Sequence, residues 1–236
     1  MRKQIISLVV VAIASAVTVS AETNREDDIR RMQNAAEVLR AIERTPDKAI
    51  PDKIMQSAKC IAIIPGEKKV AFFVGGNWGK GLVSCREANG GWSAPLFLSM
   101  GGGSFGFQIG GKATDVVFLV MNADGAKKLV QDDVKFGAGV SAAAGPVGRS
   151  GTAETDAELH AEILSYSRAR GLFAGASLNG AVMKQDKGAN EKLYGHQVTA
   201  RELLIQGNVR TPMAARVLDS TLAKYSPHGG QAFGQA

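Results

Sequence analysis

The chain has 236 residues, of which 28 are glycine and 7 proline, with two cysteines, three histidines and a formal charge of +6. Glycine at about 12% exceeds the usual share of roughly 7%, yet no G-x-y period runs through the sequence, which excludes collagen, and 45% hydrophobic against 21% charged residues excludes disorder. Two cysteines exclude a disulfide scaffold, three histidines leave little for metal chemistry, and the length suits one domain or two small ones.

Residues 1–21, MRKQIISLVVVAIASAVTVSA, place Arg2 and Lys3 before an apolar run and Val19 and Ala21 at the −3 and −1 positions of a cleavage site. That is the pattern of a secretory signal peptide, and the run is shorter than the roughly 20 residues of a spanning helix. Its removal leaves a mature charge of +4. Residues 22–58 are expected as an N-terminal helical segment packed on the domain. Within it, 24–45 carries Ile29, Met32, Ala35, Leu39 and Ile42 at helical spacing, with acids at the start and Arg40 and Arg44 at the end. A second short helix over 51–58 opens on Pro51. The apolar stripe fits burial against the domain and, lacking Trp and Phe, suits a membrane surface less well.

From Cys60 the period changes to short runs rich in Val, Ile and Phe: CIAIIP, KKVAFFVGG, GKGLVSC, APLFLSMGGGSFGFQIGG and TDVVFLVM. Short connections between them favour antiparallel pairing. A helix is expected over 123–130, two strands over about 159–167 and 171–183, and helices again in NEKLYG, TARELLIQG and TPMAARVLDSTLAKY, with Thr199 and Thr211 as caps and Gly207 as a stop. This order predicts an α+β domain over 59–226 and a flexible tail over 227–236. Gly101, Gly102, Gly103, Gly106, Gly110 and Gly111 lie inside apparent strands, where glycine marks bends, bulges or close backbone approach. The fold predicted is therefore a strongly curved, barrel-like antiparallel β-sheet flanked by N- and C-terminal helices.

Catalytic signals are weak. Gly101-x-Gly103-x-x-Gly106 has a dinucleotide-binding spacing but runs into more strand, SFGFQIGG, not into a helix N-terminus. Neither a P-loop nor a GxSxG elbow is present. His160, His196 and His228 stand apart, and Glu154, Asp156, Glu158 and Glu162 read as a solvated edge. No cofactor, metal site or enzymatic activity is expected. In a simple meander with its hairpin near Gly66–Glu67, Cys60 falls opposite about Val74 and Cys85 near Val70, so free thiols are favoured over a disulfide. Nucleic acid is excluded as a partner by the mild charge and the lack of a zinc-finger spacing or basic run.

The stretches KCIAIIP at 59–65, GGNWGKGLVSCR at 75–86, GWSAPLFLSMGGGSFGFQIGG at 91–111, KFGAGVSAAAGPVGR at 135–149 and ILSYSRARGLFAGASLNGAV at 163–182 resemble the SYLF (DUF500) lipid-binding family. With the apparent leader, the chain is similar to a bacterial exported member. The resemblance implies binding to anionic phospholipids, phosphoinositides among them for eukaryotic members, and association of yeast and animal members with the actin cytoskeleton. On this reading the protein is an exported lipid-binding module, periplasmic and peripherally membrane-associated. It would recognise anionic phospholipid membranes or head groups through its amphipathic N-terminal region and a basic surface formed by Arg40, Arg44, Lys48, Lys53, Lys59, Lys68, Lys69, Lys80 and Arg86. The alternative is a non-catalytic envelope structural or protein-interaction module with an envelope-protein partner.

Overall fold

The computed structural model describes residues 25–42, 44, 50–66, 77–102, 115–137, 139–147, 161–169, 172–175 and 180–227. The expected leader, the KKVAFFV strand, the glycines at 103–111 and the tail beyond Pro227 fall outside these residues.

The fold is α+β, with a curved, half-barrel sheet flanked by helices. A helix over 25–42 (α1) and a short one over Asp52–Ser57 (α2) precede β1 (Cys60–Ile64), β2 (Asn77–Cys85), β3 (Leu96–Gly102) and β4 (Asp115–Val120). Helix α3 (Ala123–Leu129) leads to β5 (Asp133–Lys135), β6 (Ala142–Ala144), β7 (Ile163–Ala169), β8 (Leu172–Gly175) and β9 (Val182–Gln185). The chain closes with α4 (Lys187–Tyr194), a π-helical turn (Glu202–Gln206), a 3₁₀ turn (Met213–Ala215) and α5 (Arg216–Tyr225).

The strands run β5-β9-β3-β2-β1-β4-β7-β6, with β8 also on β7. All pairs are antiparallel except β6 with β7. Two strands are expected in the region from 159 to 183; among the described residues three have a part there, β7, β8 and β9, with Gly180 at φ +86° in the turn that leads into β9.

Alternation across the pleat explains the unbroken apolar runs. In β1, Cys60, Ala62 and Ile64 face one core while Ile61 and Ile63 face another; in β4, Val116, Phe118 and Val120 part from Val117 and Leu119 in the same way. Both faces of the central sheet are thus covered, which demands apolar residues at every position. The first face is sealed by Ala126 and Leu129 of α3 and by Leu203 and Leu204 of the π-helical turn. The second is sealed by Met32, Ala35 and Leu39 of α1 and by Leu218 and Leu222 of α5. Close backbone approach sets one glycine: a Cβ on Gly81 would lie 2.2 Å from the Ile63 carbonyl oxygen.

The free-thiol expectation is corrected. Cys60 pairs directly with Cys85 across β1 and β2, and the two form a disulfide. The partner of β1 is 77–85, not the segment following Gly66–Glu67, so the assumed tight hairpin placed both cysteines in the wrong register. Cap chemistry also differs in part. Thr199 and Glu202 form the reciprocal capping box, Glu202 N donating to Thr199 Oγ1 at 3.2 Å and Thr199 N to Glu202 Oε2 at 2.7 Å. Thr211 does not cap; Pro212 takes the N-cap position of the 3₁₀ turn, without a side-chain hydrogen bond.

Candidate functional site

Of the nine cations expected on a basic surface, Lys48, Lys68 and Lys69 lie outside the described residues. The other six serve at separate places. Arg40 and Arg44 both reach back to Glu37 on α1, at 3.4 and 3.0 Å. Lys53 is exposed on α2. Lys59 is half-buried just before β1, where burial and then the Arg86 charge push its ammonium below the usual lysine range.

Arg86, immediately after β2, is only 2% exposed. Its Nε donates to Ala58 O at 3.3 Å, and Nη2 donates to the Ser226 carbonyl and hydroxyl oxygens, both at 2.7 Å, and to Pro227 O at 3.1 Å. The guanidinium lies 4.5 Å from the centre of the Trp92 ring. Ser226 Oγ in turn donates to Met55 O at 2.5 Å. Arg86 therefore joins the end of α2, the end of β2 and the end of α5, and points inward. Burial lowers its pKa, yet an arginine stays charged.

Lys80 is six residues from Arg86 along the chain, about 20 Å at strand rise. It sits 3.8 Å from Asp186, which also takes Arg31 at 3.3 Å. Arg31 is held by Asp28 at 3.1 Å and stacks 4.6 Å from the centre of Phe97. This network pins α1 to the loop before α4, where Asp186 also accepts from Ala189 N at 3.2 Å as the N-cap. Burial raises the Asp28 carboxyl above its ordinary range despite the Arg31 charge beside it.

The remaining polar groups also have structural partners. Glu162 was read as part of a solvated edge together with Glu154, Asp156 and Glu158, which lie outside the described residues. Its carboxylate accepts from Lys128 Nζ at 2.6 and 2.8 Å and from Ser141 N at 2.8 Å. Burial would raise this carboxyl, but those bonds outweigh it and hold the group below the usual range. Tyr194 donates to Pro95 O at 2.5 Å, and burial pushes its phenol up. His196 is exposed beside Gln197 O; His160 and His228 are not described. Among the described residues no three His, Cys, Asp or Glu side chains converge to hold a metal, and no helix is long and apolar enough to cross a membrane.

Sequence reasoning missed one surface. Met213 is 73% exposed and Val217 41%, four residues apart where the 3₁₀ turn runs into α5. Arg210 and Arg216 are exposed beside them and make no ion pair among the described residues. The signal was present in TPMAARVLDSTLAKY, but its inward stripe, Leu218, Thr221 and Leu222, accounted for the helical period without these two residues.

Comparison with known proteins supplies the family. Residues 101–225, from the end of β3 through α5, match the family Ysc84, described as "Las17-binding protein actin regulator". LAS seventeen-binding protein 3 of Saccharomyces cerevisiae is 36% identical over 191 residues, covering 78% of this chain and 41% of the yeast protein. Protein YSC84 of the same yeast is 32% identical over 208 residues, 83% of this chain and 44% of that one. SH3 domain-containing YSC84-like protein 1 of Homo sapiens is 32% identical over 207 residues, 84% and 60% respectively. The chain thus spans roughly two fifths to three fifths of the relatives' length.

These findings correct several expectations. The relatives are yeast and mammalian proteins, which overturns membership of a bacterial exported group and the periplasmic, peripherally membrane-associated location inferred from it. They are named for binding Las17 or for SH3 domains, and the family for actin regulation; that overturns the exported lipid-binding module and its anionic-phospholipid and envelope-protein partners. Of the two readings, the protein-interaction alternative is the better supported, since the family is described by a binding and regulatory role. A physical source of the error is visible in α1: a mild positive charge and an amphipathic helix fit a lipid surface only if they are free, whereas α1 has its apolar side in the core, Arg31 on Asp28 and Asp186, Arg30 on Asp27, and Arg40, with Arg44 just beyond the helix, on Glu37. The chain belongs to the Ysc84 family of Las17-binding actin regulators.

Proposed function

We propose that the chain is a non-catalytic protein-binding module acting in actin regulation, with actin filaments or a Las17-type protein as its partner. The observation that carries this reading is the family match over 101–225, which takes in most of the sheet and all of the C-terminal helices. The relatives share about four fifths of this chain but are themselves longer, so the shared domain is assigned the binding task, and their other segments are left to them. The two-sided core supports a scaffold role, since it fixes the helices and turns rigidly enough to present a surface.

The test is cosedimentation of the full chain with actin filaments, together with capture by an immobilised Las17-type protein. Saturable binding to either is expected at micromolar concentration. Absence of binding to both, by a chain whose circular dichroism shows it folded, would overturn the reading.

A further inference from the structure

Leu218 and Leu222 of α5 are buried against the sheet, whereas Val217 beside them is 41% exposed, and Met213, four residues earlier in the adjoining 3₁₀ turn, is exposed as well. Met213, at 73%, is the most exposed large apolar side chain among the described residues. Single exposed hydrophobics need no explanation. Two within five residues, with Pro212 only partly covered before them, form a ridge.

Charge decides what the ridge fits. Arg210 and Arg216 lie three residues on either side of Met213, both exposed and without ion pairs among the described residues. From Gly207 to Tyr225 there are three cations, Arg210, Arg216 and Lys224, against one acid, Asp219, which is only partly exposed. Of the acids near the start of this segment, Glu202 is turned to its capping bond with Thr199, and Glu87, whose carboxylate lies against Gly207, accepts from Asn89 Nδ2 at 3.0 Å. Unlike Arg31, Arg40 and Arg44, these arginines have been given no carboxylate by the fold. A methionine flanked by arginines is a contact element that adapts to an apolar partner while the guanidiniums take carboxylates at its rim.

We infer that the ridge of Met213 and Val217, framed by Arg210 and Arg216, docks an acidic amphipathic helix of a partner protein, its apolar stripe against Met213 and Val217 and its Asp or Glu residues on the two arginines. This rests on the protein-binding function proposed above and names the surface that performs it. Long-range attraction speeds the encounter and makes it salt-dependent, and burial of the ridge sets the lifetime of the complex.

The probe is a synthetic helical peptide with Leu at i, i+3, i+4 and i+7 and Glu on both flanks, titrated into the isotopically labelled full chain and followed by NMR. Shifts centred on residues 209–217 are expected, with affinity falling as salt rises. Met213→Asp/Val217→Asp and, separately, Arg210→Glu/Arg216→Glu should each raise Kd by about tenfold or more, as loss of central interface contacts does. A control peptide with Lys in place of Glu should not bind. No shifts, shifts centred elsewhere, or equal binding of both peptides would overturn the inference. So would light scattering that showed the ridge buried between two copies of the chain. The same variants in filament cosedimentation separate the two proposals. Wild-type pelleting unaffected by either double substitution defeats this surface alone; no wild-type pelleting or Las17-type capture defeats the function, while the peptide titration still decides the surface.

Discussion

Replacing Arg86 with lysine tests whether this cation is a structural clamp. The guanidinium reaches Ala58 O, Ser226 O, Ser226 Oγ and Pro227 O at once, from a position 2% exposed, and covers the Trp92 ring. A lysine has one nitrogen at the end of a flexible stem, and cannot meet acceptors on α2 and beyond α5 together. Hydrogen bonds to a charged group contribute about 1.5–3 kcal/mol each, and a desolvated cation–π contact about 2. These values do not add, and some acceptors will recruit water. Breaking a buried charged network costs about 3–5 kcal/mol. Against a total stability of about 5–15 kcal/mol this is a large share, and for a domain of this size it lowers Tm by about 6–20 °C. Urea unfolding of wild type and Arg86→Lys, followed by tryptophan fluorescence, gives the difference directly; limited proteolysis reports whether the chain near Ser226 comes loose first. An Arg86→Lys variant within about 0.5 kcal/mol of wild type, equally resistant near Ser226, would refute the clamp.

Reduction of Cys60–Cys85, or replacement of both by serine, frees a loop whose ends are 25 residues apart in sequence. By chain entropy this costs about 3.5 kcal/mol; mass spectrometry of the unreduced chain must show the two-hydrogen deficit, and unchanged urea stability on reduction would contradict the estimate. Gly81→Ala sets a Cβ 2.2 Å from the Ile63 carbonyl oxygen, so β1 and β2 must separate. A loss of about 2–4 kcal/mol is expected in denaturant melts, and a neutral substitution would show that the strands do not approach as described. Glu162 has a carboxyl held below its ordinary range, so its contribution is present above the unfolded value and lost as pH falls through the folded one. Wild type should therefore lose urea resistance more steeply than Glu162→Gln below about pH 4.5, and the glutamine variant should be the weaker at pH 7; parallel pH profiles would refute the Lys128–Glu162–Ser141 account.

The fold was largely legible because local rules and burial agree. Helical spacing at Met32, Ala35 and Leu39 and the unbroken strands CIAII and DVVFLV each had one economical interpretation, and these elements form the described core. Thr199, whose hydroxyl accepts from Glu202 N, and Gly207, at φ +62°, bound the π-helical turn by ordinary capping chemistry, as expected. The disulfide was not legible, because register across a long connection is decided by tertiary pairing. Once the tight hairpin at Gly66–Glu67 was assumed, Cys60 and Cys85 fell out of register, though they are direct partners.

Charge was the harder problem, since a sequence shows which residues are cationic but not which have been neutralised. Arg31, Arg40, Arg44, Lys80 and Arg86 all add to the formal charge, yet the first four meet carboxylates and the last is enclosed by carbonyls. Their partners lie anywhere from three to 155 residues away, as for Arg40 with Glu37 and Arg31 with Asp186, so no local window could subtract them. Arg210 and Arg216 contribute the same two units of formal charge and are left facing solvent beside apolar side chains. A net charge therefore bounds the class of partner only after the internal pairs have been removed. Among the described residues Arg31, Arg40, Arg44, Lys80 and Arg86 drop out of that count, while Lys53 on α2 and the pair Arg210 and Arg216 stay in it, and the last two stand beside the exposed apolar side chains of Met213 and Val217.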